Sequence, residues 1–342
     1  MCQLDALGKC LNLPRLRKAL EVLPDTLDDT YDRILCAIDK ENSQDALKVL
    51  QWLVYSARPL RIDEVVDALA VYSDDDPRFD PESRLPDPQD ILTICSSLVT
   101  IAGVEIRLAH FSVKEYLVSE RIQNGPARQY SIREMPANIS IAEVCLVYLL
   151  QFDKTNCLTS QTIKKYPLVR YAAKYWTQHA RAVEGDTEAM HQLIMQLFWS
   201  KREAYVNWVQ LFDPDKPWRE REITRGLKRV ASPLYYASLA GLIEPVRLLL
   251  EKGADVNAQG GVYGSALQAA LSGGHDQIVQ RLLEKGADVN AQGGYYGSTL
   301  QAASYQGHDQ IVQRLLEKGA DVNAQGGEYG NALYAASYQG YN

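Results

Sequence analysis

Histidine is scarce in this 342-residue chain. The five present (His110, His179, His191, His275, His308) show no spacing that would let two of them share a metal ion. No HExxH or GxSxG occurs, which removes the familiar zinc-peptidase and serine-hydrolase signatures. No GxxxxGK[ST] occurs and no glycine-rich loop follows a strand, so the chain offers no phosphate cradle of its own. Six cysteines (Cys2, Cys10, Cys36, Cys95, Cys145, Cys157) are scattered without a CxxC pair, the usage of reduced thiols in an intracellular protein. Long apolar runs are missing: the longest, IAEVCLVYLLQF at 141–152, carries Glu143 and is too short to span a bilayer. No stretch reads as a secretory signal. A formal charge of −7 argues against nucleic acid or an anionic membrane as the main partner. These absences predict no catalytic residues, no cofactor, no metal site and a cytoplasmic location.

What is abundant is repetition. GADVNAQGG stands at 253–261, 286–294 and 319–327, always 33 residues apart. Leu234, Leu267, Leu300 and Leu333 keep the same interval, inside SPLYYA, SALQAA, STLQAA and NALYAA. Each unit reads as helix, helix, hairpin. Ser265 with Gln268, and Ser298 with Gln301, have the spacing of a capping box at the start of a two-turn first helix that ends at Gly274 or Gly307. The second helix, Asp276 to Lys285, puts an acid at its positive end and a lysine at its negative end. Ile278, Val279, Leu282 and Leu283 give it one apolar face. Gly286 suits a left-handed residue past the helix end, and Asp288, Val289, Asn290 and a Gly-Gly tip form a tight turn. No such unit buries its apolar face alone; stacked neighbours do, so the pattern predicts a solenoid. The last unit ends after its first helix, which predicts an uncovered apolar face there.

The period, GADVNA, and GHDQIV followed by RLLEKG resemble the ankyrin-repeat family over 232–342, three units and a partial fourth. One departure is plain: the family's TPLH is written SPLY, SALQ, STLQ and NALY, so the histidine that ties helix to hairpin is missing. Gln268 and Gln301 are expected to take over part of that role through the capping box. His275 and His308 read as surface or capping groups. Units 265–297 and 298–330 differ at five positions: Ala266/Thr299, Leu271/Ser304, Ser272/Tyr305, Gly273/Gln306 and Tyr295/Glu328. All lie on the first helix or hairpin tip, which the resemblance implies line the concave, partner-binding face. With the tyrosine ladder Tyr263, Tyr296 and Tyr329, the expected partner-binding residues are Val262, Tyr263, Ala266, Leu271, Ser272, Tyr295, Tyr296, Thr299, Ser304, Tyr305, Gln306, Glu328 and Tyr329. Random drift after duplication is the alternative source of these differences.

Upstream, a charged stretch at 213–231 reads as a linker. Residues 13–24 and 26–39 read as short helices within a first segment, 1–42. In 43–125, Ser43 caps a helix running to Tyr55, 58–60 is extended and 61–71 is helical. The segment 73–88 is loop by composition. A third helix follows to Val99, then a strand with Val104, Ile106 and Leu108 facing one way after a turn at Ala102-Gly103, and a fourth helix over 110–122. Three helices followed by a hairpin describe a winged helix. Its groove-facing helix, PQDILTICSSLV, holds no Lys or Arg, so it does not read as a DNA reader. From 126 to 212 the chain reads as helical, with Ser140 and Glu143 as a capping box. Tyr171, Tyr175, Trp176, His179 and Trp199 fall at core spacing.

The runs LPDTLDDTYDRIL, WLVYSARPLRIDEVVDALAV, ICSSLVTI and HFSVKEYL, with PLVRYAAKYWTQHA after them, resemble the segment that follows the NACHT nucleotide-binding domain in fungal NOD-like receptor proteins. That resemblance covers about 10–200. It implies a regulatory winged helix and a C-terminal sensor array, with a NACHT domain upstream in the full gene product as a partner. It marks His110 as the residue placed to sense a nucleotide held by that domain. The fold class expected is mostly α: a winged helix and helical region followed by an ankyrin-repeat solenoid. The function expected is a non-catalytic protein-interaction module, with a stand-alone scaffold or part of a nucleotide hydrolase as alternatives.

Overall fold

The computed structural model describes residues 26–72, 77–153, 158–182, 187–219 and 230–340. The helix expected at 13–24 and residues 220–229 of the expected linker lie outside the described residues. The chain divides into two compact units: Met1–Val144 with Tyr166–Leu168, and Cys145–Lys165 with Val169–Asn342.

Among the described residues the first unit begins with α1 (Leu27–Cys36), capped by Thr26, whose hydroxyl accepts from the Asp29 amide at 3.1 Å. Helix α2 (Ser43–Tyr55) buries Val49, Leu50 and Trp52. It is Asn42, not Ser43, that occupies the cap position: the Ser43 hydroxyl turns back to the Lys40 carbonyl, one turn of 3-10 helix earlier. Strand β1 (Leu60–Arg61) leads into α3 (Ile62–Leu69) and then β2 (Val71–Tyr72). Of the stretch 73–88 expected as loop, 73–76 lie outside the described residues and 77–84 fold back onto the unit. Strand β3 (Arg78–Phe79) pairs with β2, and Arg84 reaches the buried Asp67 carboxylate at 2.6 Å. A buried charge is tolerable only when paired, so the aspartate fixes this segment.

Helix α4 (Asp90–Cys95) ends earlier than expected, because Ser96 turns left-handed (φ 54°) and Val99 is already strand. Strands β4 (Val99–Ala102) and β5 (Glu105–Leu108) form the hairpin, and β1 completes a sheet in the order β1-β5-β4. Ile106 and Leu108 point as expected, but Val104 does not: it shares a two-residue turn with Gly103 (φ +64°) and stands 54% exposed. The helix expected over 110–122 is two helices, α5 (Phe111–Leu117) and α6 (Glu120–Asn124). Ser119 interrupts them in an extended conformation, its hydroxyl bound to the Tyr116 carbonyl.

Helix α7 (Glu134–Leu150) corrects the expected cap at Ser140, which is a helix-interior residue. The helix starts six residues earlier, where Pro136 sits in the first turn, the one place a helix tolerates it.

In the second unit, α8 (Val169–Arg181), α9 (Glu188–Met195) and α10 (Arg202–Leu211) gather a dense aromatic core. Trp176, Phe198, Tyr205 and Trp208 interlock with ring centroids 5.4–5.9 Å apart. Tyr171, Trp176 and His179 are core as expected, whereas Trp199 is 48% exposed. The repeats follow in the same unit. First helices α11 (Pro233–Leu239), α13 (Ala266–Ser272), α15 (Thr299–Gln306) and α17 (Ala332–Tyr338) pack side by side. Second helices α12 (Ile243–Glu251), α14 (Asp276–Glu284) and α16 (Asp309–Glu317) back the first three. Leu234, Leu267 and Leu300 are all buried.

The helical layer passes into the repeats without a free linker at its start. Asp213 and Asp215 are buried. The Tyr235 hydroxyl donates to Asp215 Oδ1 and accepts from the Tyr263 amide, and the Tyr205 hydroxyl donates to the Ala231 carbonyl. Burial raises the Asp215 carboxyl above its ordinary value, against the pull of the Tyr235 hydrogen bond. Trp208 meets the Tyr236 ring edge-on at 5.8 Å.

Candidate functional site: the hairpin and first-helix face

The repeated nonapeptide is a stacking device. Asn257 donates from Nδ2 to the Gly286 carbonyl and accepts at Oδ1 from the Asp288 amide, so one side chain bridges two repeats. Asn290 does the same to Gly319 and Asp321. The Gly-Gly tips let neighbouring hairpins touch through their backbones. The Tyr295 amide donates to the Val262 carbonyl at 2.8 Å, and Glu328 to Tyr295 at 3.0 Å. A Cβ on Gly294 (φ +69°) would fall 2.0 Å from the Tyr263 carbonyl oxygen, which no side chain permits.

The expected capping boxes are half formed. Ser265 and Ser298 accept from the Gln268 and Gln301 amides. The glutamine side chains reach forward to the next hairpin: Gln268 Nε2 donates to the Gly293 carbonyl at 3.0 Å, and Gln301 to Gly326 at 3.2 Å. The helix-to-hairpin tie is therefore made directly by glutamine and owes nothing to a reciprocal cap. His275 lies at the N-cap of α14 without capping it. Its ring is half-buried against the Leu239 carbonyl of the preceding repeat, and burial lowers its pKa.

Six of the expected contact residues are buried: Ala266, Leu271, Tyr296, Thr299, Ser304 and Tyr329. Their side chains face the stack and shape the surface from beneath, so they are not the direct contacts expected, because the first helices pack on one another. Tyr295 and Glu328 are exposed, while Val262, Tyr263, Ser272, Tyr305 and Gln306 are half-buried. The aromatic rings form one connected group. Tyr263 stacks on Tyr296 at 5.8 Å and Tyr296 on Tyr329 at 6.3 Å. Tyr305 lies 4.7 Å from Tyr329 and 6.4 Å from Tyr338, and the Tyr295 and Tyr329 hydroxyls meet at 3.3 Å. Burial raises the Tyr296 phenol above its ordinary value, so it carries no charge near neutrality.

A second feature had no periodic signal in the sequence. A cleft of about 480 Å³ lies between α9, with its π-helical continuation Gln196–Ser200, and α12. His191 and Met195 are its buried lining, Trp199 its exposed aromatic wall, and Arg247 and Lys252 its cations. Arg247 bonds both Glu244 and Glu251, and this holds the Glu244 carboxyl below its ordinary value. Spacing groups Trp199 with the core aromatics, so nothing local in the sequence marks the cleft.

In the first unit, His110 caps α5. Its Nδ1 accepts from the Ser112 amide at 3.3 Å and lies 2.6 Å from the Ser112 hydroxyl, which also meets the Tyr31 hydroxyl at 2.7 Å. The ring is exposed and rests on Phe111, itself 69% exposed. The expected groove helix α4 buries Ile91, Ile94 and Cys95, and burial pushes the Cys95 thiol up to about 12. Among the described residues no group of three or more His, Cys, Asp and Glu is placed to hold a metal ion. Among them too, no helix is long and apolar enough to cross a membrane.

Comparison with known proteins matches both regions. The ankyrin-repeat family profile fits residues 234–326 and, overlapping, 268–342. The profile of the GPI inositol-deacylase winged helix domain fits residues 15–131. The chain is similar to the azaphilone pigments biosynthesis cluster protein L of Monascus ruber, at 42% identity over 288 residues, 78% of this chain and 61% of that protein. It thus spans about three fifths of that relative's length. This chain carries a winged-helix domain of the GPI inositol-deacylase type and, after it, ankyrin repeats.

Proposed function

We propose that the chain is a non-catalytic interaction protein of the cytoplasm whose hairpin and first-helix face, the concave face of an ankyrin array, holds a protein partner. The winged-helix unit serves as the regulatory arm of a NOD-like receptor type switch, working against a NACHT domain. One observation carries the reading. Two repeats are otherwise identical, and of the five positions at which they differ, Ser272/Tyr305, Gly273/Gln306 and Tyr295/Glu328 reach this face while Ala266/Thr299 and Leu271/Ser304 lie buried beneath it; none falls in the second helices. The relative's association with a pigment biosynthesis cluster suits an accessory protein that organises other components.

The double substitution Tyr305→Ser with Gln306→Gly installs the residues that Ser272 and Gly273 hold one repeat earlier, so the fold should tolerate it. Affinity purification on the full chain should lose at least about tenfold of the retained partner, a change of ~1.4 kcal/mol; equal retention removes the surface assignment. ATP hydrolysis by the purified chain would contradict the non-catalytic reading. For the switch, the chain joined to a NACHT domain should release ADP faster once His110 becomes alanine. An unchanged release rate ends that role for His110.

A further inference from the structure

We infer that the partner's docking segment is an uncharged, proline-rich stretch in the polyproline II conformation, lying across the tyrosine face. The inference rests on that face being the binding surface.

Charge is the first observation. The hairpins 258–264, 291–297 and 324–330 and the first helices 233–239, 266–272, 299–306 and 332–338 contain a single charged residue, Glu328. The charges of the array sit on the second helices and the Asp288-type turns. A charged ligand would find nothing here to repay its desolvation.

The second observation is how the polar groups are already used. Gln306 Nε2 donates to the Ser272 carbonyl, Gln259 to the Asn257 carbonyl, and Gln325 to the Asn323 carbonyl. Tyr295 shares its hydroxyl with Tyr329. A sugar needs many directed hydrogen bonds, and each of these amides has already spent one of its two donors within the array. What the face offers is ring area with hydroxyls at its edges, the surface that suits pyrrolidine rings. A polyproline II chain has no internal hydrogen bonds, so its carbonyls accept from such hydroxyls, and it enters binding already ordered.

Dimensions agree. The ring series from Tyr263 through Tyr296 and Tyr305 to Tyr338 advances in centroid steps of 5.8, 5.2 and 6.4 Å. At ~3.1 Å per residue, about five residues of polyproline II cover that length. The rings are held by one another, from Tyr263 through Tyr296 and Tyr305 to Tyr338. A preordered ligand would meet a preordered platform, which keeps the entropic cost of association low.

The test uses the full chain and a blocked, uncharged peptide of about twelve residues of Pro-Pro-Ala repeats, measured by titration calorimetry. Beside it run an alanine-for-proline peptide of equal length and a neutral cello-oligosaccharide. Expected is saturable binding of the proline peptide, at least about tenfold weaker in Tyr295→Glu combined with Tyr305→Ser. Both substitutions bring in residues that a sister repeat carries at the same place, and circular dichroism checks the fold. No peptide binding by the parent chain overturns the proline assignment and leaves the partner-binding face to the purification experiment. Equal binding of the alanine peptide, lost in the same variant, overturns proline selectivity alone. Peptide binding indifferent to both tyrosines overturns the site. Oligosaccharide binding that the variant abolishes overturns the protein ligand itself.

Discussion

Leu234 and Leu333 occupy the same place in the 33-residue frame, yet one is 1% exposed and the other 80%. Their neighbours repeat the contrast: Tyr235 and Tyr236 are buried, whereas Tyr334 and Tyr338 are 56% and 64% exposed. Local sequence keeps the frame and differs at three of seven positions, PLYYASL against ALYAASY. What differs is the surroundings. Helix α11 has its own second helix, α13 beside it, and the helical layer reaching it through Trp208, Tyr205 and Asp215. Helix α17 has α15 beside it, and Ala335 is the residue it buries there. Burial in a repeat stack therefore belongs to the neighbours and is not a property of the motif.

The largest test exploits that equivalence. Leu267→Ala, in a repeat covered on both sides, should cost ~2–5 kcal/mol. Leu333→Ala should stay within about 0.5 kcal/mol. Urea midpoints of the two variants measure the gap, and equal losses would mean that Leu333 is covered in solution.

Acid offers a way to weaken one end selectively. His179 is buried in the helical layer against the Tyr171 hydroxyl at 2.9 Å, and burial lowers its pKa to about 4. The unfolded chain takes up the proton near pH 6.5 while the folded chain resists until about 4. Stability is therefore full above 6.5 and falls between 6.5 and 4, by ~3 kcal/mol at most. Asp215, raised by burial, contributes with the opposite sign, gaining as the pH falls through its folded value. The difference between the parent chain and His179→Gln isolates the histidine: denaturation curves at pH 7 and pH 4 should converge for the two proteins at the lower value. A pH-independent difference would place the His179 ring in solvent.

Asp215→Asn comes next. It keeps the shape and removes the charge that accepts from Tyr235 and Tyr236. A loss of ~1–3 kcal/mol is expected, together with faster exchange of the Tyr263 amide, which leans on the Tyr235 hydroxyl. If exchange at Tyr263 does not respond, the clasp is not what joins the helical layer to the first hairpin.

The same comparison shows what the sequence could and could not disclose. Period, helix limits and the left-handed glycines were readable because each is set within a few residues: Ser265 caps Gln268, and Gly286 ends α14 at φ +86°. The winged-helix elements were readable in order, with errors at the joints, such as Val104 and Ser119, where one residue's backbone angle decides. The forward reach of Gln268 to Gly293 was not readable, nor was the burial of Asp215 within a charged run, nor the cleft beside Trp199. Those features join residues 20 to 60 positions apart, and no local pattern records them. The expected contact face needed the same correction. Alternation between repeats suggested a face, and packing shows that Thr299 and Leu271 point inward from it.

The smallest effect separates local from global stability. Ser298 and Asn331 are equivalent caps: Ser298 accepts from the Gln301 amide at 3.2 Å, Asn331 from the Tyr334 amide at 2.8 Å. By geometry alone the asparagine cap is the better of the two, and losing either to alanine costs about 1 kcal/mol where the helix depends on it. Helix α15 unfolds only with its neighbours, so Ser298→Ala should lower the urea midpoint of the whole second unit. Among the described residues helix α17 packs on α15, and a helix so placed can open alone, so Asn331→Ala should leave that midpoint unmoved and speed exchange of the Tyr334 amide about fivefold, the factor ~1 kcal/mol implies. If instead Asn331→Ala shifts the midpoint as Ser298→Ala does, α17 folds in concert with the rest and the contrast between the two ends is one of exposure, with no difference in cooperativity.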